Sequence, residues 1–176
     1  MRTLRPIPWA IVVLICALCC SAVAEPTNTT VCKLIKDPAR FSGKMVRIRA
    51  QVKSGFEVAV ILAECDHRGV GMALYYPDLV RGSDRPDFTL LKNASFEEFN
   101  RALSKFGLRP QIGPASKPPE GHVFATLVGR FDGPDKLAFT DSAGKTVVRK
   151  GYGFSPSTLY QTRLVLKSVS SVAICR

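Results

Sequence analysis

The sequence predicts a mostly β domain with two helices: an OB-like, five-stranded, closed or partly open barrel with a capping helix between strands 3 and 4. Three observations carry this expectation. The run 46–53 alternates apolar and polar residues without a break. Strand-like runs, most of them joined by short turns, surround one Phe-rich segment of helical period. The composition, 46% hydrophobic and 22% charged over 176 residues, is that of one globular domain.

The elements follow in order. Thr30 is placed to cap a short amphipathic helix, Val31-Cys32-Lys33-Leu34-Ile35, ended by Asp37-Pro38 and a Ser42-Gly43 turn. In Val46-Arg47-Ile48-Arg49-Ala50-Gln51-Val52-Lys53 every even position is apolar and every odd one polar, the period of a half-buried strand. Ser54-Gly55 turns the chain into a second strand, Phe56 to Ala63, whose outward residues are expected to be Glu57, Ala59, Ile61 and Ala63. Asp66-His67-Arg68-Gly69 makes the next turn, and Val70 to Tyr76 is a third strand closed by Pro77.

Ser95-Phe96-Glu97-Glu98 reads as a capping box in which Ser95 caps the helix and Glu98 reaches back. Phe96, Phe99, Leu103 and Phe106 then recur at helical spacing, with Gly107 as the stop. Residues 109–121, with four prolines and two glycines, form an irregular loop. His122 to Phe131 is the fourth strand, Lys136 to Phe139 and Thr146 to Arg149 form a small hairpin, and Thr162 to Val172 is the last strand. Three meandering strands, a helix and two more strands is the order of an OB-like barrel, which hides most sheet edges. An open α+β sheet with the same elements is the alternative.

The first 24 residues carry export information. Arg2 and Arg5 precede an apolar run from Trp9 to Val23, ending in Ala22-Val23-Ala24 ahead of Glu25 and Pro26. This pattern predicts a signal peptide over 1–24, with an uncleaved anchor as the alternative, then a flexible lead-in over 25–30 and one domain over 31–176. Removing 24 of the 176 residues leaves 152, with 23 basic against 14 acidic residues. The protein is expected to be periplasmic or secreted. Cys32, Cys65 and Cys175 then remain, so at most one intrachain bridge forms and one thiol is left over. In the expected fold Cys32 and Cys65 are the better pair, because the second strand returns to where the leading helix sits.

Several short stretches resemble exported bacterial proteins of OB-like fold and no assigned function. They are Cys32-x-Leu34-Ile35-x-Asp37-Pro38-x-x-Phe41-x-Gly43-Lys44-x-Val46-x-Ile48, Ser54-Gly55-Phe56-Glu57, and Thr126-x-x-Gly129-Arg130-Phe131-Asp132-Gly133. Gly151-Tyr152-Gly153-Phe154, Tyr160 and Leu164-Val165-Leu166-x-Ser168-Val169 complete the pattern. The resemblance implies the architecture and brings no activity. In such proteins a histidine usually follows the Gly-Tyr-Gly loop, where this chain has Phe154.

No catalytic motif stands out. Gly-x-Ser-x-Gly, a phosphate-cradling glycine loop and His-Glu-x-x-His are all missing. Ser142-Ala143-Gly144-Lys145 matches Ser-x-x-Lys in form, but Gly144 argues for a turn. Cys65-Asp66-His67 with His122, Cys32 or Cys175 offers zinc ligands without the paired spacing such sites use. No metal or cofactor is therefore expected. The expected function is a non-catalytic exported binding or envelope-associated module, its partner an anionic envelope component or extracellular polymer. The alternative is a nucleic-acid or polyanion binder, with a metal- or thiol-dependent enzyme behind both. Candidate ligand-binding residues are Tyr152, Phe154 and Tyr160 in one loop, and Arg47 and Arg49 on the first strand, with Arg130, Arg163 and Lys167 near that basic row.

Overall fold

A computed structural model describes residues 25–54, 59–106, 121–134, 136–140, 144, 146–152 and 160–175. The expected signal peptide over 1–24, the turn with Phe56 and Glu57, the Gly107 stop with the loop to 120, most of the Ser142–Lys145 turn, and Phe154 lie outside them.

A two-residue strand, β1 (Thr27–Asn28), leads into α1 (Val31–Lys36). The Thr30 side chain accepts from the Lys33 amide, as its position predicts. Asp37-Pro38 does more than end this helix. The Asp37 carboxylate accepts from the Arg40 amide, and Pro38 opens a second turn of helix, α2 (Pro38–Phe41). Proline suits the first helical position because its missing N–H would have no partner there. The described residues thus hold three short helices, one more than the sequence suggests.

Strand β2 (Met45–Ser54) buries Val46, Ile48, Ala50 and Val52, in the predicted phase. β3 (Ala59–Cys65) and β4 (Arg68–Tyr75) are joined by Asp66 and His67, both at positive φ, +50° and +61°. Two such residues are what a tight hairpin between right-twisted strands requires. Helix α3 (Ala94–Phe106) follows, then β5 (His122–Asp132), the small hairpin β6 (Lys136–Thr140) and β7 (Thr146–Lys150), and β8 (Arg163–Cys175).

The main sheet closes into a ring. Its order is β2-β3-β4-β8-β5, and β5 pairs back along β2. All these pairings are antiparallel except β4 with β8, while β1 runs parallel beside β2. Closure leaves the inner face as the core: Val46, Ile48, Ile61, Met72, Leu127, Phe131, Leu164 and Leu166 are all 0–1% exposed. Phe99 and Leu103 of α3 and Leu34 of α1 pack into the same cluster.

Two expectations are overturned. Ile61 points inward, paired in register with Val52, and Ala59 and Ala63 pack against the core. Val60 is buried on the opposite face, so β3 is covered on both sides around Val60 and Ile61. An apolar run of this kind has no alternation from which to read its facing. The capping box also fails. Helix α3 begins at Ala94, and the Asn93 side chain accepts from the Phe96 amide at 3.0 Å. Asn93 caps as well as serine does and lies two residues earlier.

Candidate functional site

The odd-numbered residues of β2 face away from the core, and β5 and β8 continue that face. Arg47 stands in register with Val128 and then Ser168, Arg49 with Thr126 and Ser170, and Gln51 with Phe124 and Ala173. Arg49 is exposed, Arg47 is 40% exposed at its side chain, and Lys53 extends the row. Arg49 Nη1 donates to the Ser171 carbonyl at 3.0 Å, at a point where Ser171 adopts φ +50° and the β5–β8 register slips. Arg47 Nη1 lies 3.8 Å from Glu25, a contact of two exposed groups that water screens. Gln51 Nε2 approaches His122 Nδ1 at 2.7 Å, which orients the imidazole at one end of the face. The result is an open surface of guanidinium groups, hydroxyls and the half-buried Phe124.

The outer face of β4 and the start of β8 is closed instead. Ala73, Tyr75 and Val165 lie beneath Val80, Tyr152, Phe88 and Tyr160 as a second apolar cluster. Tyr160 also lies over β4 at Gly71, where an added Cβ would come 3.0 Å from its ring and 3.3 Å from Val60 of β3. Tyr76, at the start of this covering segment, has its phenol pushed above the ordinary value, first by burial and then by Asp78.

An ion network fastens this cover. Asp132 accepts from Arg130 Nε at 2.8 Å and Nη2 at 3.1 Å, and from Arg163 Nε at 2.7 Å. Arg163 Nη2 reaches Asp84 at 3.3 Å, and Arg130 Nη2 donates to the Asp84 carbonyl at 2.6 Å. The Arg163 guanidinium lies 4.4 Å from the Tyr152 ring centre and 5.6 Å from that of Tyr75, a cation between two π faces. Arg130 is held above the usual guanidinium range, chiefly by its hydrogen bond to Asp132, with burial acting against it. Two arginines and two aspartates balance in charge, so this cluster braces the fold.

The residues marked out in the sequence therefore divide. Arg47 and Arg49 share the open face. Arg130 and Arg163 do not join them; both are committed to the network, and Lys167 sits 5.9 Å over Phe88 beside the cover. Tyr152 and Tyr160 pair backbone to backbone. Tyr152 is 4% exposed and its hydroxyl donates to the Gly133 carbonyl at 2.6 Å, so it packs and offers no stacking surface. Cys32 and Cys65 form a disulfide, with Cα atoms 5.5 Å apart, while Cys175 is free and exposed. Cys65 is thus unavailable as a thiolate ligand, and Asp66 and His67 serve the hairpin.

Sequence reasoning overlooked a second basic group. Lys33 and Lys36 of α1 and Arg40 of α2 surround a hollow of about 300 Å³ beside β1. Their clustering on both sides of Asp37-Pro38 was the available signal. Comparison with protein-family models, with curated proteins and with solved structures finds no match.

Proposed function

We propose that the chain is an exported, non-catalytic binding module of OB-like fold that docks an anionic envelope component or extracellular polymer on the outer face of β2, β5 and β8. The open face with Arg47 and Arg49 carries this reading. Counting the five ring strands in chain order, the ring runs first, second, third, fifth, fourth and back to first, with third and fifth parallel. That order, and a helix between third and fourth, supports the OB-like assignment and a place among small exported proteins of that fold. Export is supported by the Cys32–Cys65 disulfide, since such bonds persist in oxidising compartments. Among the described residues no helix is long and apolar enough to cross a membrane.

OB-like proteins that hold single-stranded nucleic acid use the outer face of the second and third strands. Here the third strand's part of that face lies under Tyr160, Tyr152, Phe88 and Val80. The outward residues of β3 are Val60, Leu62 and Glu64, which give neither free rings nor positive charge. This favours charge-driven docking on the opposite side over base stacking.

Retention on immobilised heparin tests the reading. The protein is expected to bind at low salt and to release as salt rises, because docking frees condensed counterions. Replacing both Arg47 and Arg49 with alanine should lower the salt dependence by about two cations. The Arg81→Ala/Arg85→Ala control removes the same charge from the cover segment and should elute with the parent. Equal losses in the two double variants would reduce the effect to net charge and overturn the site.

A further inference from the structure

We propose that the hollow between β1, α1 and α2 is a phosphoryl-binding site, separate from the open sheet face. Three cations line it, of which Lys33 and Lys36 also border the neighbouring hollow beside Cys32 and Cys65. Val31 and Leu34 are 3% and 0% exposed and anchor α1 in the core. Helical spacing then sends Lys33 and Lys36 outward, and both are exposed. The Pro38 restart adds Arg40 one turn further on, its guanidinium 5.4 Å from the Phe41 ring centre. Among the described residues, the ion pairs are those of Arg47, Arg130 and Arg163, so Lys33, Lys36 and Arg40 make none.

The opposite wall is polar. It consists of Thr27, Asn28 and Thr29, held beside β2 by the register Asn28 to Arg47 and by the Thr29 amide on the Arg47 carbonyl. Among the described residues, Thr29 Oγ1 is the one buried side-chain polar atom without a hydrogen-bond partner. A buried hydroxyl in that condition is unfavourable and calls for a partner. Thr29 itself lines the hollow, and a ligand oxygen bound there is the partner this proposal assigns to its hydroxyl.

Charge selects the ligand class. Three cations and Asp37, whose carboxylate already accepts from the Arg40 amide, leave a net charge of two positive. A phosphate monoester or free phosphate carries about two negative charges near neutral pH, a carboxylate only one. Lysine ammonium groups act there as point charges, and the threonine and asparagine side chains supply directed donors.

Titration of the 15N-labelled protein tests the site. Inorganic phosphate and glycerol phosphate are added in separate arms, with acetate as the third. The expected result is saturable shifts of amides 27–41 in both phosphate arms and a response to acetate at least about tenfold weaker. Tighter binding of glycerol phosphate than of inorganic phosphate would point to an ester-linked group on a larger molecule, and the reverse to free phosphate. In the Lys36→Gln/Arg40→Gln chain the rest of the spectrum should be unchanged and affinity should fall about tenfold. Shifts that rise linearly without saturation, or equal responses to acetate and phosphate, would overturn the proposal. Because amides of 124–128 and 168–170 report the sheet face separately, failure here and failure of the polyanion reading are distinguishable.

Discussion

Asp132 is 9% exposed and accepts hydrogen bonds from two guanidinium groups, so its charge is compensated only while both arginines stay in place. Removing one partner of a buried ion cluster strands the others, which is costlier than never having built it. Asp132→Ala is expected to lower stability by about 3–5 kcal/mol in urea unfolding. Asp84 is 47% exposed at its side chain, and its alanine variant should cost no more than about 1 kcal/mol. Similar losses at both positions would mean that the cover segment, and not the buried charge, is what the network holds. None of this was legible from the residues alone. Asp84 and Arg163 are 79 positions apart, and nothing local in either segment marks them as partners.

Among the elements, α1 shows how a short helix is kept in place. Six residues form too little helix to persist alone, so its position depends on Val31 and Leu34 and on the bond from Cys32 to Cys65 at the end of β3. The bridge joins cysteines 33 positions apart. Converting both cysteines to serine is expected to cost about 2–4 kcal/mol, read from the unfolding midpoint. Adding reductant to the parent should reproduce that loss, and no change in midpoint would contradict it. The pair was foreseeable because the meander returns β3 to the start of β2. Asn93 and Ser95 are equally good caps for α3 by residue type, and only the helix's seat in the core decides between them.

At the scale of the whole molecule, the ring depends on one close approach. A Cβ on Gly129 would lie 2.3 Å from the Val165 carbonyl, where the β5–β8 register shifts beside Val128. No rotamer relieves a clash of backbone with a Cβ, so Gly129→Ala must push two ring strands apart. The expected cost is at least about 2–3 kcal/mol, measured by urea unfolding, with faster amide exchange along both strands. Gly69 offers the contrast: nothing lies within 4 Å of its added Cβ, and its alanine variant should stay close to the parent in both measurements.

The sequence by itself determined the mostly β class, the succession of most elements along the chain and the facing of β2. Where one face is wet and the other dry, alternation records which is which, and Val46 to Val52 sit accordingly. It also marked Arg47 and Arg49 as outward cations. Tertiary structure alone decided the facing of β3, since burial on both sides erases the pattern. It decided too that Tyr152, Tyr160, Arg130 and Arg163 belong to packing, while Lys33, Lys36 and Arg40 stay unpaired around a hollow. A side chain's partners across the fold are set by where ring closure brings distant segments, and short-range periodicity carries no record of that.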